Sequence, residues 1–324
     1  RPSIQKLHII VLMALLCVAM VAISLNSKFI DKKDYYYEKA KAAEYMQYGL
    51  DILKSASKRI FKNNTSSFDP MDTGLVFFED ELEGSLNSKL TTLNPNFAAL
   101  IVDFITDSGI EPVKKTSDYK PKIAVSFTGS MPGANLAVLS ACEAMGLEPV
   151  IITSVSASNF GALRYKDFSW LDMEYELTYP EDSYFKHRSV AASIGKRRDS
   201  GIGLSNNAIK DIVSVLEKYE KIYGNREFEI LYRPDKYLPY YIDRRMDIYD
   251  EKSDGAPYDL FINVGGGVAS VGYYAGIKKV SGFVSADSLK NLYKNKSIND
   301  CVMYRFSDFE NNPVPAINIV DIEN

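Results

Sequence analysis

The chain has 324 residues with 38 Lys and Arg against 42 Asp and Glu, a formal charge of -4, and is 46% hydrophobic and 12% aromatic. That length and apolar content can bury a full core and exclude a disordered chain. The acidic balance excludes a sequence-independent nucleic-acid binder relying on a basic surface.

Cysteine occurs only at Cys17, Cys142 and Cys301, without a CxxC pair, so neither a disulfide framework nor a cysteine-rich zinc site is implied. The first segment, residues 1–33, is dominated by LHIIVLMALLCVAMVAISL from Leu7 to Leu25, with His8 its one ionisable residue apart from Cys17. At about 1.5 Å per helical residue this run nearly matches a ~30 Å hydrocarbon core, which predicts one membrane-spanning anchor. A cleaved secretory signal is the competing reading, but such signals have shorter apolar cores, and Ala19 to Ala22 matches a cleavage site poorly. Arg1 and Lys6 on one flank face Lys28, Lys32 and Lys33 on the other, a count that does not decide the positive-inside rule. A short N-terminal tail favours an N-terminus inside and a body outside the cytoplasmic membrane. The first residue is not Met, which predicts further residues upstream.

Residues 34–118 read as a helical region packed on a main domain. Asp34 to Phe61 lacks Pro and places Tyr37, Ala40, Ala43, Met46, Leu50 and Leu53 near one face, predicting a long stalk helix. Lys62 to Asp72, with Asn63, Asn64, Ser66, Ser67 and Pro70, reads as a loop. A helix within Thr92 to Asp107 is announced by Asn94-Pro95 and the apolar series Phe97, Leu100, Ile101, Ile105.

Residues 119–324 alternate strand and helix patterns. Strands are predicted at Ile123 to Phe127, Pro149 to Val155, Phe228 to Leu231 and Tyr258 to Val264, and helices at Ala134 to Met145 and Asn206 to Tyr223. Tyr237 to Tyr249 is mixed, and the apolar runs Val280 to Val284, Val302 to Phe306 and Ala316 to Ile319 read as further edge strands. Such alternation predicts an α/β fold with an open, mostly parallel, Rossmann-like sheet and helices on both faces.

Three strands end in small-residue loops: TGSMPGAN (Thr128 to Asn135), TSVSASNFGA (Thr153 to Ala162) and NVGGGVASVG (Asn263 to Gly272). Loops after parallel strands share one sheet edge and form a ligand crevice where strand order reverses. Each loop alone is equally explained by tight turns and close packing; together they nominate Gly129, Ser130, Gly133, Asn135, Ser156, Ser158, Asn159, Gly265, Gly266 and Gly267 as ligand-binding. Backbone N–H groups and a helix amino end there suit a carboxylate or phosphate.

The Walker pattern is absent, since Ala134 and Asn135 follow Gly133, and Gly265, Gly267 and Ser270 only approach a dinucleotide fingerprint. Ser130 sits in a strand-to-helix turn, but Thr128 and Pro132 occupy the glycine positions of a nucleophile elbow. A base for Ser130 rests on His187, because His8, the other histidine, lies in the apolar helix. A lone His beside Arg188 is more often a structural residue. In SIGKRRDSGIGLS, Arg198 beside Asp199 offers a bidentate anion contact, the alternative being a solvated charge run. Trp170 with Asp172 and Glu174 is either a crevice wall or a hydrophobic plug, and the two carboxylates specify no metal.

The runs SLNSKLTTLNPNFAAL, GSMPGANLAVLSACEAMGLEPVIITSVSASNFGA, FSWLDME, RSVAASIGKRRDSGIGLS and INVGGGVASVG together resemble the poly-gamma-glutamate system protein family, from about Ser85 to Gly272. KRRD stands where a glycine-rich pair is expected before Asp199. The resemblance implies a membrane-anchored accessory component of bacterial capsule-type poly-gamma-glutamate synthesis or export. Its expected partners are the polymer or its synthase and export proteins, with no nucleic acid. It assigns no catalytic residue. Three functions stay open: an accessory binder of a carboxylate-rich polymer or its precursor, an amidase with Ser130 as nucleophile, and a small-anion or nucleotide-binding protein. The cofactor is undefined; a divalent cation would reconcile an acidic protein with a polyanion.

Overall fold

In the computed structural model, residues 6–26, 32–62, 69–79, 82–114, 119–293, 300–309, 312–320 and 322 are described. Arg1, Lys28, Asn63, Asn64, Ser66 and Ser67, named above, lie outside them. The elements are α1 (Leu7–Asn26), α2 (Tyr36–Phe61), α3 (Leu86–Thr91), α4 (Asn96–Asp107), β1 (Lys122–Thr128), α5 (Pro132–Met145), β2 (Glu148–Ser154), α6 (Tyr165–Phe168), α7 (Trp170–Thr178) and β3 (Ser189–Ser193). There follow α8 (Asn206–Tyr223), β4 (Glu229–Ile230), α9 (Leu238–Lys252), β5 (Leu260–Val264), α10 (Val268–Val271), β6 (Gly282–Val284), α11 (Ala286–Tyr293), α12 (Val302–Ser307) and β7 (Ala316–Ile319).

The chain divides into two units, Arg1–Tyr36 and Tyr37–Asn324. In the first, α1 is long and apolar enough to cross a membrane, with a mean hydropathy of 2.7 over Leu7–Ser24 and none of that stretch buried.

In the second, seven strands form one sheet of order β4-β3-β2-β1-β5-β7-β6. Every pairing is parallel except that of β6 with β7. The strands are nearly all buried, as continuous apolar runs require when both faces are covered. On one face, Ala124, Ile152, Ala191 and Phe261 pack with Tyr241, Ile248 and Tyr249 of α9 and Val302, Met303 and Phe306 of α12. The alternate residues point the other way: Phe127 meets Trp170 of α7 edge-on at 5.7 Å between ring centroids. Beside them α5 covers β1 and β2 and packs against α4. Gly49 lets α2 approach α5, since a Cβ there would run into Leu136.

Several elements differ from the sequence expectation. Val302–Ser307 is a helix, not a strand: Val302, Met303 and Phe306 share one buried face, and the Cys301 thiol accepts the Tyr304 N–H at 3.5 Å to cap it. Ala316–Ile319 lies inside the sheet between β5 and β6, not at an edge. The mixed Tyr237 to Tyr249 segment is the helix α9, with Pro239 in its first turn, where a missing N–H costs nothing. The Ser/Ala-rich strand β3 carries too little apolar contrast to be read beforehand.

Glu174 ties α7 to β3. Its Oε1 accepts Trp170 Nε1–H at 3.1 Å and Ser189 Oγ–H at 2.9 Å, and its Oε2 accepts the Ser189 backbone N–H at 3.0 Å. Burial pushes its carboxyl up to about 7 from 4.5, outweighing those hydrogen bonds. Below about pH 4.5 both folded and unfolded chains hold this proton; between 4.5 and about 7 only the folded chain does, so its contribution to stability is lost as pH rises through that window. Unfolding by urea across pH 5–7 should therefore show wild-type stability falling with pH more steeply than in Glu174→Gln, by close to one proton's slope, about 1.4 kcal/mol per pH unit. Equal slopes would place the Glu174 ionisation elsewhere.

Candidate functional site

Strand order reverses at β1, which pairs with β2 on one side and with β5 on the other. The connections leaving the carboxyl ends of these two strands diverge there, and the gap is the crevice expected at such a point. It is a cavity of about 610 Å³ lined by Thr128 at the end of β1 and Ser130 after it, Ser154 at the end of β2 and Ser156 and Ser158 after it, Lys196 and Arg197 after β3, and Gly265, Gly266 and Gly267 after β5. Lys89 of α3, Glu83 and Lys278 also line it. A second cavity of about 360 Å³, lined by Gly109, Tyr119 and Asp259 among others, lies at the opposite, amino ends of β1 and β5, away from all these loops.

Close backbone approach explains the first two loops. A Cβ on Gly129 would overlap the Val155 carbonyl, and Gly161 meets the backbone of Gly129 and Ser130 in return. Asn135 donates its side-chain N–H to the Thr128 carbonyl at 2.9 Å, fixing the β1–α5 turn from below. Asn159 accepts the Glu79 N–H at 2.9 Å and donates to the Leu82 carbonyl at 2.9 Å, strapping Glu79 and Leu82 to the β2 loop. Ser130 Oγ accepts the Ser158 N–H at 3.0 Å, joining the two loops across the cavity rim.

The loop after β3 is the most strained. Lys196, Arg198 and Asp199 all have positive φ, at 64°, 56° and 59°, interleaved with Gly195, Gly201 and Gly203. Such backbone persists only where the surroundings over-determine it. Here the buried Asp199–Arg245 pair does so. Arg245 of α9 is 1% exposed and Asp199 2% exposed. Arg245 Nη2 donates to Asp199 Oδ2 at 2.8 Å, to Ser193 Oγ at 2.8 Å and to Ser154 Oγ at 3.0 Å. Asp199 Oδ1 accepts Ser193 Oγ–H at 2.8 Å and Ser154 Oγ–H at 3.1 Å. Both charges are thereby paired and hydrogen-bonded, the condition for burying them.

A polar rack holds the β5 turn. Asn263 donates to the Gly265 carbonyl at 2.8 Å and to Asn318 Oδ1 at 2.8 Å, and Ser270 Oγ donates to Asn263 Oδ1 at 2.6 Å. Gly265 takes φ +89°, and a Cβ there would overlap Thr128 Oγ1.

Two buried residues of the cavity wall, Thr128 and Lys89, differ in character. Thr128 Oγ1 has no hydrogen bond. Lys89 is 8% exposed and no carboxylate pairs with it. Burial alone pushes its amine down to about 8 from 10.5.

Of the residues nominated from sequence, Ser130, Ser156, Ser158, Gly265, Gly266 and Gly267 line this cavity. Gly129, Gly133, Asn135 and Asn159 lie behind it as packing and strapping groups; Gly133 is closed over by Thr92 and Leu93. Arg198 is directed to the Tyr237 ring, 5.5 Å from its centroid, while its neighbours Lys196 and Arg197 face the cavity. Asp199 is committed to Arg245. His187 is not beside Ser130: it precedes β3, where its Nδ1 lies 2.9 Å from Glu143 Oε1 near the end of α5. Ser130 follows β1 at the other edge, about 20 Å away along the strands, so His187 cannot serve it as a base. Trp170 is a buried plug; Asp172 caps α7 and holds Lys218 and the Tyr219 hydroxyl, each at 2.7 Å. Among the described residues, no group of three or more His, Cys, Asp or Glu is arranged for a metal ion.

Sequence reasoning missed Lys89, Thr128, Lys278 and Arg245. Lys89, in the six-residue helix α3, carried no signal that a short stretch of sequence shows. Compared with protein-family models, with curated proteins and with solved structures, the chain matches none.

Removing one partner of the buried pair strands the other. Arg245→Ala should cost about 3–5 kcal/mol in urea unfolding, whereas Asp199→Asn combined with Arg245→Met should cost clearly less than the two single changes added. Additive losses would mean the pair is not coupled.

Proposed function

We propose that this protein is a membrane-anchored accessory component of poly-gamma-glutamate synthesis or export, whose Rossmann-like body receives the carboxylate-rich polymer or its precursor in the switch-point cavity. The observation that carries the reading is local charge. In a chain of net charge -4, the cavity gathers Lys89, Lys196, Arg197 and Lys278 against Glu83 alone. A γ-linked glutamate polymer presents an α-carboxylate at every unit, and clustered cations, hydroxyls and glycine-loop N–H groups are the chemistry that receives carboxylates. The identity of the polymer rests on the family resemblance of the motifs Ser85 to Gly272. The anchor is α1, with the body outside the cytoplasmic membrane.

The net acidity repels a polyanion at long range while the cavity attracts it at short range. Binding is therefore local and salt-sensitive, and a divalent cation bridging carboxylates assists it. An amidase reading is kept by one observation, the placement of Ser130 on the cavity wall.

The test incubates the full chain in detergent with defined γ-glutamate oligomers, with and without magnesium, and reads binding by calorimetry and product by mass spectrometry. Unchanged masses with salt-sensitive binding are expected. Lys196→Ala with Arg197→Ala should weaken binding roughly tenfold, a loss near 1.4 kcal/mol. Shortened oligomers that vanish in Ser130→Ala would instead establish the hydrolase. Binding of a nucleotide panel with no response to the oligomers would replace the polymer by a small phosphorylated ligand.

For the anchor, protease added to intact cells should digest the body and spare α1. Protection of the body until the membrane is opened would invert the orientation.

A further inference from the structure

Gly265 and Gly266 follow β5 side by side, and only the first must be glycine for the protein's own sake. Gly265 takes φ +89°, and a Cβ there would overlap Thr128 Oγ1. Gly266 takes no positive φ, and a Cβ built on it would meet Lys278, with Cε at 3.7 Å and Nζ at 3.8 Å, which are ordinary contact distances. The protein would accept a side chain at 266, yet the sequence leaves that space open beside a lysine amine.

Both sides of the gap are fixed by one buried device. Asn263 Nδ2 donates to the Gly265 carbonyl and to Asn318 Oδ1, each at 2.8 Å. Asn318 Nδ2 donates in turn to the Ile277 carbonyl at 3.0 Å and the Val280 carbonyl at 2.6 Å, on either side of Lys278. Asn263 and Asn318 are both fully buried. The Lys278 amine makes no hydrogen bond or ion pair among the described residues, and the Gly266 and Gly267 N–H groups donate to no acceptor there. Lys89, 8% exposed, lines the same cavity with no carboxylate paired to it, which independently marks the cavity as built for negative charge. Donors without acceptors call for a ligand oxygen that carries charge.

We propose that Lys278 and Gly266 form a subsite for one oxyanion of the ligand, the amine donating to it and the missing side chain giving it room against the turn. This rests on the anionic reading of the cavity, in which the oxyanion is one glutamyl α-carboxylate. A charge-assisted bond places the acceptor oxygen about 2.8 Å from Nζ. On the loop side such an oxygen would overlap a methyl carried by residue 266, 3.8 Å from the same Nζ. Lys196 and Arg197 reach the cavity from the loop after β3 and supply attraction that this methyl leaves untouched.

The experiment measures, by calorimetry, binding of a γ-glutamate oligomer and of inorganic phosphate to the full chain in detergent. It compares the wild type, Gly266→Ala, Lys278→Met and the double variant, with the urea midpoint of each as the check on folding. Expected are unchanged midpoints, oligomer binding weakened roughly fivefold or more by Gly266→Ala and about tenfold by Lys278→Met, and a double variant no weaker than Lys278→Met alone, because both changes remove one contact. Gly266→Ala that folds and binds as the wild type does overturns the subsite and spares the polymer reading, and so does a double variant whose loss is the product of the two. A lowered midpoint in Gly266→Ala means that the glycine serves packing, and equally overturns the subsite. Phosphate bound with this same dependence on residues 266 and 278, with no oligomer bound, upholds the subsite and removes the polymer reading. A wild-type chain that binds neither overturns both.

Discussion

The buried Asp199–Arg245 ion pair is the constraint on which the site depends. It joins β2 through Ser154, β3 through Ser193, the loop after β3 through Asp199 itself, and α9 through Arg245. Of these residues only Ser154 also lines the cavity. Their effect is to hold a loop with several residues at positive φ in one conformation, which turns Lys196 and Arg197 toward the crevice. Burying two charges is costly, and a well-packed apolar substitute is often as stable. What the pair supplies is a single position for a loop that would otherwise relax.

The same logic runs through the other connections. Asn135 beneath the β1 turn, Asn159 strapping the β2 loop, and Asn263 with Asn318 beneath the β5 turn all spend side-chain hydrogen bonds on backbone carbonyls or on one another. Each sits within or just beyond a buried strand end, where main-chain groups lose their ladder partners and must be satisfied otherwise. These side chains form a rigid polar frame behind the cavity. A frame of this kind loses little ordering entropy when a ligand arrives.

Charge is distributed on two scales. The chain as a whole is acidic, while its crevice is cationic. Beyond about a Debye length of 8 Å the two largely cease to interact at physiological salt, so a ligand is discriminated by the crevice and not by the surface.

Sequence alone determined what depends on local pattern: the apolar span of α1, the long helix α2, the strands β1, β2 and β5, and the amphipathic helix α8, whose bounds Asn206–Tyr223 follow from its 3.6-residue periodicity. The small-residue loops after β1, β2 and β5 were legible too, because strand ends that turn sharply need Gly, Ser and Asn. Tertiary structure decided the rest. Whether VMYRF is strand or helix turned on burial of one face, not on propensity. His187 and Ser130 stand at opposite sheet edges because strand direction, invisible in spacing, separates them. Arg198 and Lys196 differ only in which way a strained loop turns each. Lys89 joined the site because α3, distant in sequence from every loop, folds over it; long-range placement is set by the summed packing of the whole core, which no short window of residues contains.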